Sequence, residues 1–103
     1  MPLFETQEQS EAFVIQLKTS HLEAANAAEF KQELGMLDLP QAGKVVVDCS
    51  GLAFIDSSGL GALLHLNNSL RGGVRPLSLT NLSPEVLSVV ELLRLNTVFN
   101  LEN

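Results

Sequence analysis

Two hydrophobic rhythms follow each other along the chain, and they predict its elements. Phe13, Ile15 and Leu17 alternate on one face with Val14 on the other, so Ala12 to Leu17 reads as a strand. Phe4 to Gln7 reads as a short edge strand before it, with Glu8 to Glu11 as the polar turn between. Thr19-Ser20-His21 is a loop. From Glu23 to Leu37 the period becomes helical: Ala27, Phe30, Leu34 and Leu37 form one stripe, and Glu29, Lys31, Gln32 and Glu33 lie outside it. Gly35 is a weak point that marks the end, and Pro40 stops the helix. Val45-Val46-Val47-Asp48-Cys49 is β-branched and unalternating, which predicts a strand in the middle of a sheet, covered on its sides.

After Ser58, the residues Leu60, Leu63, Leu64, Leu66 and Leu70 predict a second helix, closed at Arg71-Gly72-Gly73 by a left-handed cap. Val74 to Thr80 reads as a strand, with Pro76 placing it near an edge. Ser83-Pro84-Glu85 starts a third helix, Ser83 as cap and Pro84 in the first position, followed by the stripe Val86, Leu87, Val90 and Leu93, with Leu92 a further candidate for it. Asn96 to Leu101 is a short final strand or turn. The order is α/β, with helices packed on a mixed sheet and right-handed crossovers through the first two helices setting its parallel part.

Composition narrows this to one domain, expected over residues 1–103. The chain has 103 residues, 46% of them hydrophobic, enough for a single core. No apolar run approaches the ~18 residues of a membrane span, so no membrane insertion is expected. Met1 to Glu5 lacks the basic and apolar parts of a secretory signal, and a cytoplasmic location is expected. The single cysteine, Cys49, can form no internal disulfide, which suits a reducing compartment. The net charge is −6, with the six basic residues scattered and no Trp or Tyr for stacking, so no nucleic-acid binding is expected. The acidity leaves room for a basic protein partner.

Enzymatic chemistry finds little to work with. His65 lies seven or eight residues into the second helix from Ser57 or Ser58, over ~10 Å along the axis, too far for a serine–histidine dyad within that helix. His21 sits in a polar loop. One Cys and two distant His give no metal-binding spacing. The glycines Gly51, Gly59 and Gly61 complete neither a P-loop nor a dinucleotide fingerprint, and Gly-x-Ser-x-Gly is absent. Neither an enzyme nor a cofactor is expected. What remains is the turn Asp56-Ser57-Ser58-Gly59 at a helix start. It reads in two ways. Asp56 or Ser57 caps the helix for about 1 kcal/mol, Ser58 fills the first turn and Gly59 permits close packing. Alternatively, one serine hydroxyl is a modification switch. A free helix N-terminus also offers N–H groups to an anion such as a nucleotide.

The run from Val45 to Leu64, with Asp56-Ser57-Ser58-Gly59-Leu60-Gly61 at its heart, resembles the signature of the STAS domain of bacterial anti-sigma-factor antagonists. The likeness extends to Val14–Leu17, Leu22-Glu23 with Phe30, Val74–Leu79 and Ser83-Pro84-Glu85-Val86. The resemblance implies a mixed four- to five-stranded sheet with helices mainly on one side. It implies a phosphoprotein that works by partner switching in signal transduction and transcription regulation. The unphosphorylated form binds an anti-sigma factor that is also a GHKL-type serine kinase, phosphorylation releases it, and a PP2C-type serine phosphatase resets it. Carried over, the phosphorylated residue is Ser57, with Asp56, Ser58, Gly59, Leu60, Ser20, His21 and Glu23 as partner-binding residues. Glu23 stands where the family has an aspartate, and Asn26 where a threonine is common. The family also includes non-switching scaffold subunits of signalling, biofilm, secretion and lipid-transport complexes, and nucleotide-binding modules. The short chain is expected to be a free-standing antagonist.

Overall fold

The computed structural model describes residues 2–102; Met1 and Asn103, the ends of the expected domain, lie outside the described residues. In chain order the elements are β1 (Phe4–Glu8), β2 (Ala12–Leu17), β3 (His21–Leu22), α1 (Ala27–Leu34), β4 (Lys44–Asp48), β5 (Phe54–Ile55), α2 (Ser57–Ser69), β6 (Ser78–Thr80), α3 (Pro84–Leu92), a 3-10 turn at Leu95–Thr97, and β7 (Asn100–Glu102). Five strands form one sheet in the order β1-β2-β4-β6-β7. The β1–β2 hairpin is antiparallel, and the other three pairings are parallel. Parallel neighbours need a crossover, and α1, α2 and α3 supply the three. β3 and β5 pair separately, two residues each, also parallel.

Alternation in the strands sends Phe4, Ile15, Leu17, Val45, Val47 and Leu79 into one core with Phe30, Leu60, Leu63, Leu66, Val86 and Val90. Phe30 meets Phe4 edge to face, ring centres 5.8 Å apart. The other face of the sheet is polar. Glu5, Gln7, Gln16, Asp48 and Asn100 lie on it by the period-2 rule, and Lys44 Nζ bridges to Glu102 at 2.6 Å. So the sheet is mixed and covered by helices on one side. β4 lies in its middle as the valine run predicts. On the uncovered side Val46 is buried between its register neighbours Val14 and Ser78, not under a helix.

Several elements differ from their predicted bounds. α1 starts four residues later than the stripe suggests, because Glu23 to Asn26 form a turn. There Asn26 Oδ1 accepts the Glu23 N–H at 2.9 Å. His21 is not loop; it pairs with Phe54. β6 is shorter than predicted and lies inside the sheet, with Pro76 outside the strand in the approach to it. That approach is held by buried Asn67, whose Oδ1 accepts the Leu77 N–H at 2.8 Å. α2 ends without a left-handed cap: Leu70 is extended, and neither Gly72 nor Gly73 has positive φ. The tail forms β7, the second edge of the sheet.

Candidate docking surface at the start of helix α2

Asp56 organises the turn. Its backbone is extended, its Oδ1 accepts the Gly59 N–H at 3.0 Å, and its carbonyl accepts the Leu60 N–H at 3.0 Å. It is therefore the N-cap, and Ser57 is the first helical residue. Its other oxygen, Oδ2, accepts the Ala24 N–H at 3.3 Å, tying the turn to the loop before α1. Ser57 and Ser58 are both exposed, and neither hydroxyl has a hydrogen-bond partner among the described residues. The helix end is thus satisfied by the carboxylate, and both serine hydroxyls are left to solvent.

Gly59 makes the turn possible. A Cβ there would stand 2.2 Å from the Leu22 carbonyl oxygen and 2.8 Å from the Ile55 side chain. Only a residue without a side chain lets α2 begin this close to the β3–β5 pair. That pair carries the rest of the surface. Ser20 O accepts the Ala53 and Phe54 N–H groups at 2.8 and 3.1 Å, and Leu22 O accepts the Asp56 N–H at 3.2 Å. The His21 carbonyl receives hydrogen bonds from Thr19 Oγ1 at 2.9 Å and Asn26 Nδ2 at 3.0 Å. Ser20 and His21 are exposed and Glu23 half-buried, joined to the turn through this ladder.

Three residues change the expected surface: Gly59, expected to meet a partner, is buried against the Leu22 carbonyl, and Leu60 and Phe54 also depart from the expectation. Leu60 is 1% exposed and belongs to the core, so it offers no side chain to a partner. Phe54, absent from the expectation, is 52% exposed beside His21. A lone aromatic between Ala53 and Ile55, just before the polar turn, was its only signal in the sequence.

His21 Nδ1 lies 3.5 Å from Ser20 Oγ, and His65 is exposed on α2. Among the described residues no three His, Cys, Asp or Glu side chains gather to hold a metal. No helix there is long and apolar enough to cross a membrane. Cys49 is buried, and burial, with a smaller contribution from the Asp48 charge, pushes its thiol up to about 12. Such a thiol stays protonated and unreactive in the folded protein.

Residues 4–102 match a family model described as "Mlab, STAS domain". Solved structures agree at the level of the fold. A STAS domain protein from Planctomyces limnophilus, described as an anti-sigma-factor antagonist, superposes with a TM-score of 0.86 at 17% identity, over 100% of this chain and 91% of that one. An anti-sigma factor antagonist from Mycobacterium paratuberculosis gives 0.82 at 20% identity, over 95% and 82%. The anti-sigma factor antagonist SpoIIAA in its unphosphorylated form gives 0.71 at 21% identity, over 97% and 88%. All three similar proteins are described by the regulator they antagonise and not by a reaction.

Proposed function

The chain belongs to the STAS domain family, and we propose that it is an anti-sigma-factor antagonist whose docking is switched by phosphorylation of Ser57. The observation that carries this is a division of labour: Asp56 holds the helix end, while the Ser57 hydroxyl is exposed and unengaged. Phosphate can therefore be added without taking a cap from the fold.

The docking face comprises Asp56, Ser57, Ser58, Ser20, His21, Glu23 and Phe54. Its partner is an anti-sigma factor that is also a GHKL-type serine kinase, and a PP2C-type phosphatase returns the protein to its binding form. Phosphorylation adds about −1.5 to −2 charge. The positive end of α2 favours that charge by roughly 0.3–1 kcal/mol, so the fold survives. At a contact the same dianion is desolvated and meets the Asp56 carboxylate and any partner acids. A hundredfold loss of affinity needs only about 2.8 kcal/mol, which such repulsion supplies. No change of backbone is required.

The test is incubation with the cognate kinase and ATP, followed by peptide mass spectrometry. Phosphate on Ser57, with Ser57→Ala remaining bound to the kinase, supports the switch. Phosphate on Ser58 alone, or on neither serine, overturns it. The matched family model carries the description Mlab, not that of an anti-sigma-factor antagonist, which favours a second reading. In that reading the chain is a fixed docking subunit of a larger complex, bound through the same face and never phosphorylated.

A further inference from the structure

Two glycines, Gly59 and Gly61, stand two positions apart at the start of α2 and tell different stories. Gly59 is required by the fold, as shown above. At Gly61 a Cβ would meet nothing within 4 Å, and the position is exposed. A glycine inside a helix costs stability relative to alanine, so an open one serves no purpose in the isolated fold. Gly61 lines an open depression of about 370 Å³ with Ser58 of α2 and with Ala24, Ala27, Ala28 and Lys31 on or just before α1.

The seam between α1 and α2 holds more than one concavity. A second one, about 200 Å³, lies between Leu34, Gly35, Leu37 and Leu39 on the α1 side and His65, Leu66 and Ser69 on α2. On each helix the step from the first set to the second is about seven residues, or roughly 10 Å. The two helices run side by side in the same direction, and both concavities lie in the seam between them, the first beginning at Ser58. Its charge departs from that of the molecule. The chain carries twelve carboxylates, yet none lines either concavity. Lys31 is their one fixed charge, and it has no ion-pair partner among the described residues.

We propose that the seam between α1 and α2 receives a helix of a protein partner, which packs small side chains against Gly61 and Ala28 and sets a carboxylate opposite Lys31. Small residues on both sides let helix backbones approach closely, and an amphipathic helix laid into a groove reads such a seam at i, i+3, i+4 and i+7. An unpaired lysine on an otherwise acidic protein selects an acidic segment. An anionic membrane fits poorly, because it needs a cluster of cations, and a chain of net charge −6 is repelled by it. The inference rests on the proposed function only in that a protein docks beside Ser57. It holds equally for a partner that is not a kinase.

The test places the photo-crosslinker benzoylphenylalanine at Gln32, exposed beside Lys31 but outside the lining of either concavity, in the full chain, in its native cells, with a second copy of the experiment at Gln7 on the open face of the sheet. Crosslinked peptides are sequenced. Gly61→Ala should raise the melting temperature by roughly 4–8 °C. Gly61→Leu should fold normally but weaken the crosslinked partner's binding at least tenfold. Lys31→Glu should do the same, and reversing the matching carboxylate on the partner should restore binding. Crosslinks from Gln32 to a helical segment bearing Asp or Glu, lost in Gly61→Leu, support the proposal. Crosslinks only from Gln7, crosslinks from Gln32 to lipid, or full binding by Gly61→Leu overturn it. If a kinase binds but ignores Gly61→Leu, the groove falls and the switch stands. If a non-kinase helix crosslinks at Gln32 and is lost in Gly61→Leu, the groove stands and the kinase assignment falls.

Discussion

Gly59 lies so close to the Leu22 carbonyl that even a methyl group would fall 2.2 Å from the oxygen. The contact is with backbone, which cannot swing aside as a flexible side chain would. Gly59→Ala must therefore push α2 away from the β3–β5 pair. Overpacking of this kind costs about 1–3 kcal/mol. Urea unfolding should show a lower midpoint with an unchanged slope, and the Asp56 N–H should lose protection from hydrogen exchange first. Equal stability to the parent would mean the close approach is not a real constraint.

Asp56 holds two N–H groups from different parts of the chain, Gly59 and Ala24. Asp56→Ala should cost about 0.5–2 kcal/mol for the lost cap. The exchange rates of the Gly59 and Ala24 amides should rise together. Asp56→Asn, itself a good cap, should recover most of the stability. Faster exchange at Gly59 alone would show that the loop before α1 is held by something other than the carboxylate.

Ser57 carries no structural hydrogen bond, so Ser57→Ala should change stability by less than about 0.5 kcal/mol, as for an ordinary surface position. Under the proposed switch it should bind the partner permanently. Ser57→Asp should release the partner only in part, since one charge replaces nearly two. Calorimetric titration of the three forms against the partner separates them. A Ser57→Ala protein that fails to bind would point to the hydroxyl as a contact and away from a switch.

Acid sensitivity should come from Asp48 and Glu102. Burial pushes Asp48 upward, but hydrogen bonds from Asn81 and Ser50, aided by the Lys18 charge, outweigh it and leave its carboxyl below the usual range. For Glu102 the Lys44 hydrogen bond is the main cause of a shift in the same direction. A group whose folded pKa is depressed contributes fully above its unfolded value, about 4, and the contribution disappears as pH falls through the folded value. The urea midpoint should be flat from about pH 7 to 5 with respect to these groups and then fall below about 4. Asp48→Asn should make that fall shallower. A steeper one would contradict the assignment.

The turn that opens α2 was legible because capping is local: Asp56, Ser57 and Gly59 announce a helix start within four residues. The valine run and the α3 start were legible for the same reason. β3 and β5 were not, since two residues carry no period, and their pairing joins His21 to Phe54 across 33 positions. The interior place of β6 was hidden by Pro76, which lies just outside the strand. Leu60 shows the opposite case. It shares the helical stripe of Leu63 and Leu66, and that stripe already pointed inward. The bond from Asp56 to Ala24 belongs to tertiary structure and leaves no trace in either segment's pattern.

Cys49 is the chain's single sulfhydryl, shut away at 1% exposure. A thiol-labelling reagent can reach it only when the domain opens, so the speed of labelling counts those openings. Every variant above thus carries its own gauge of intactness, readable in the same tube as the binding measurement and needing no added dye or tag.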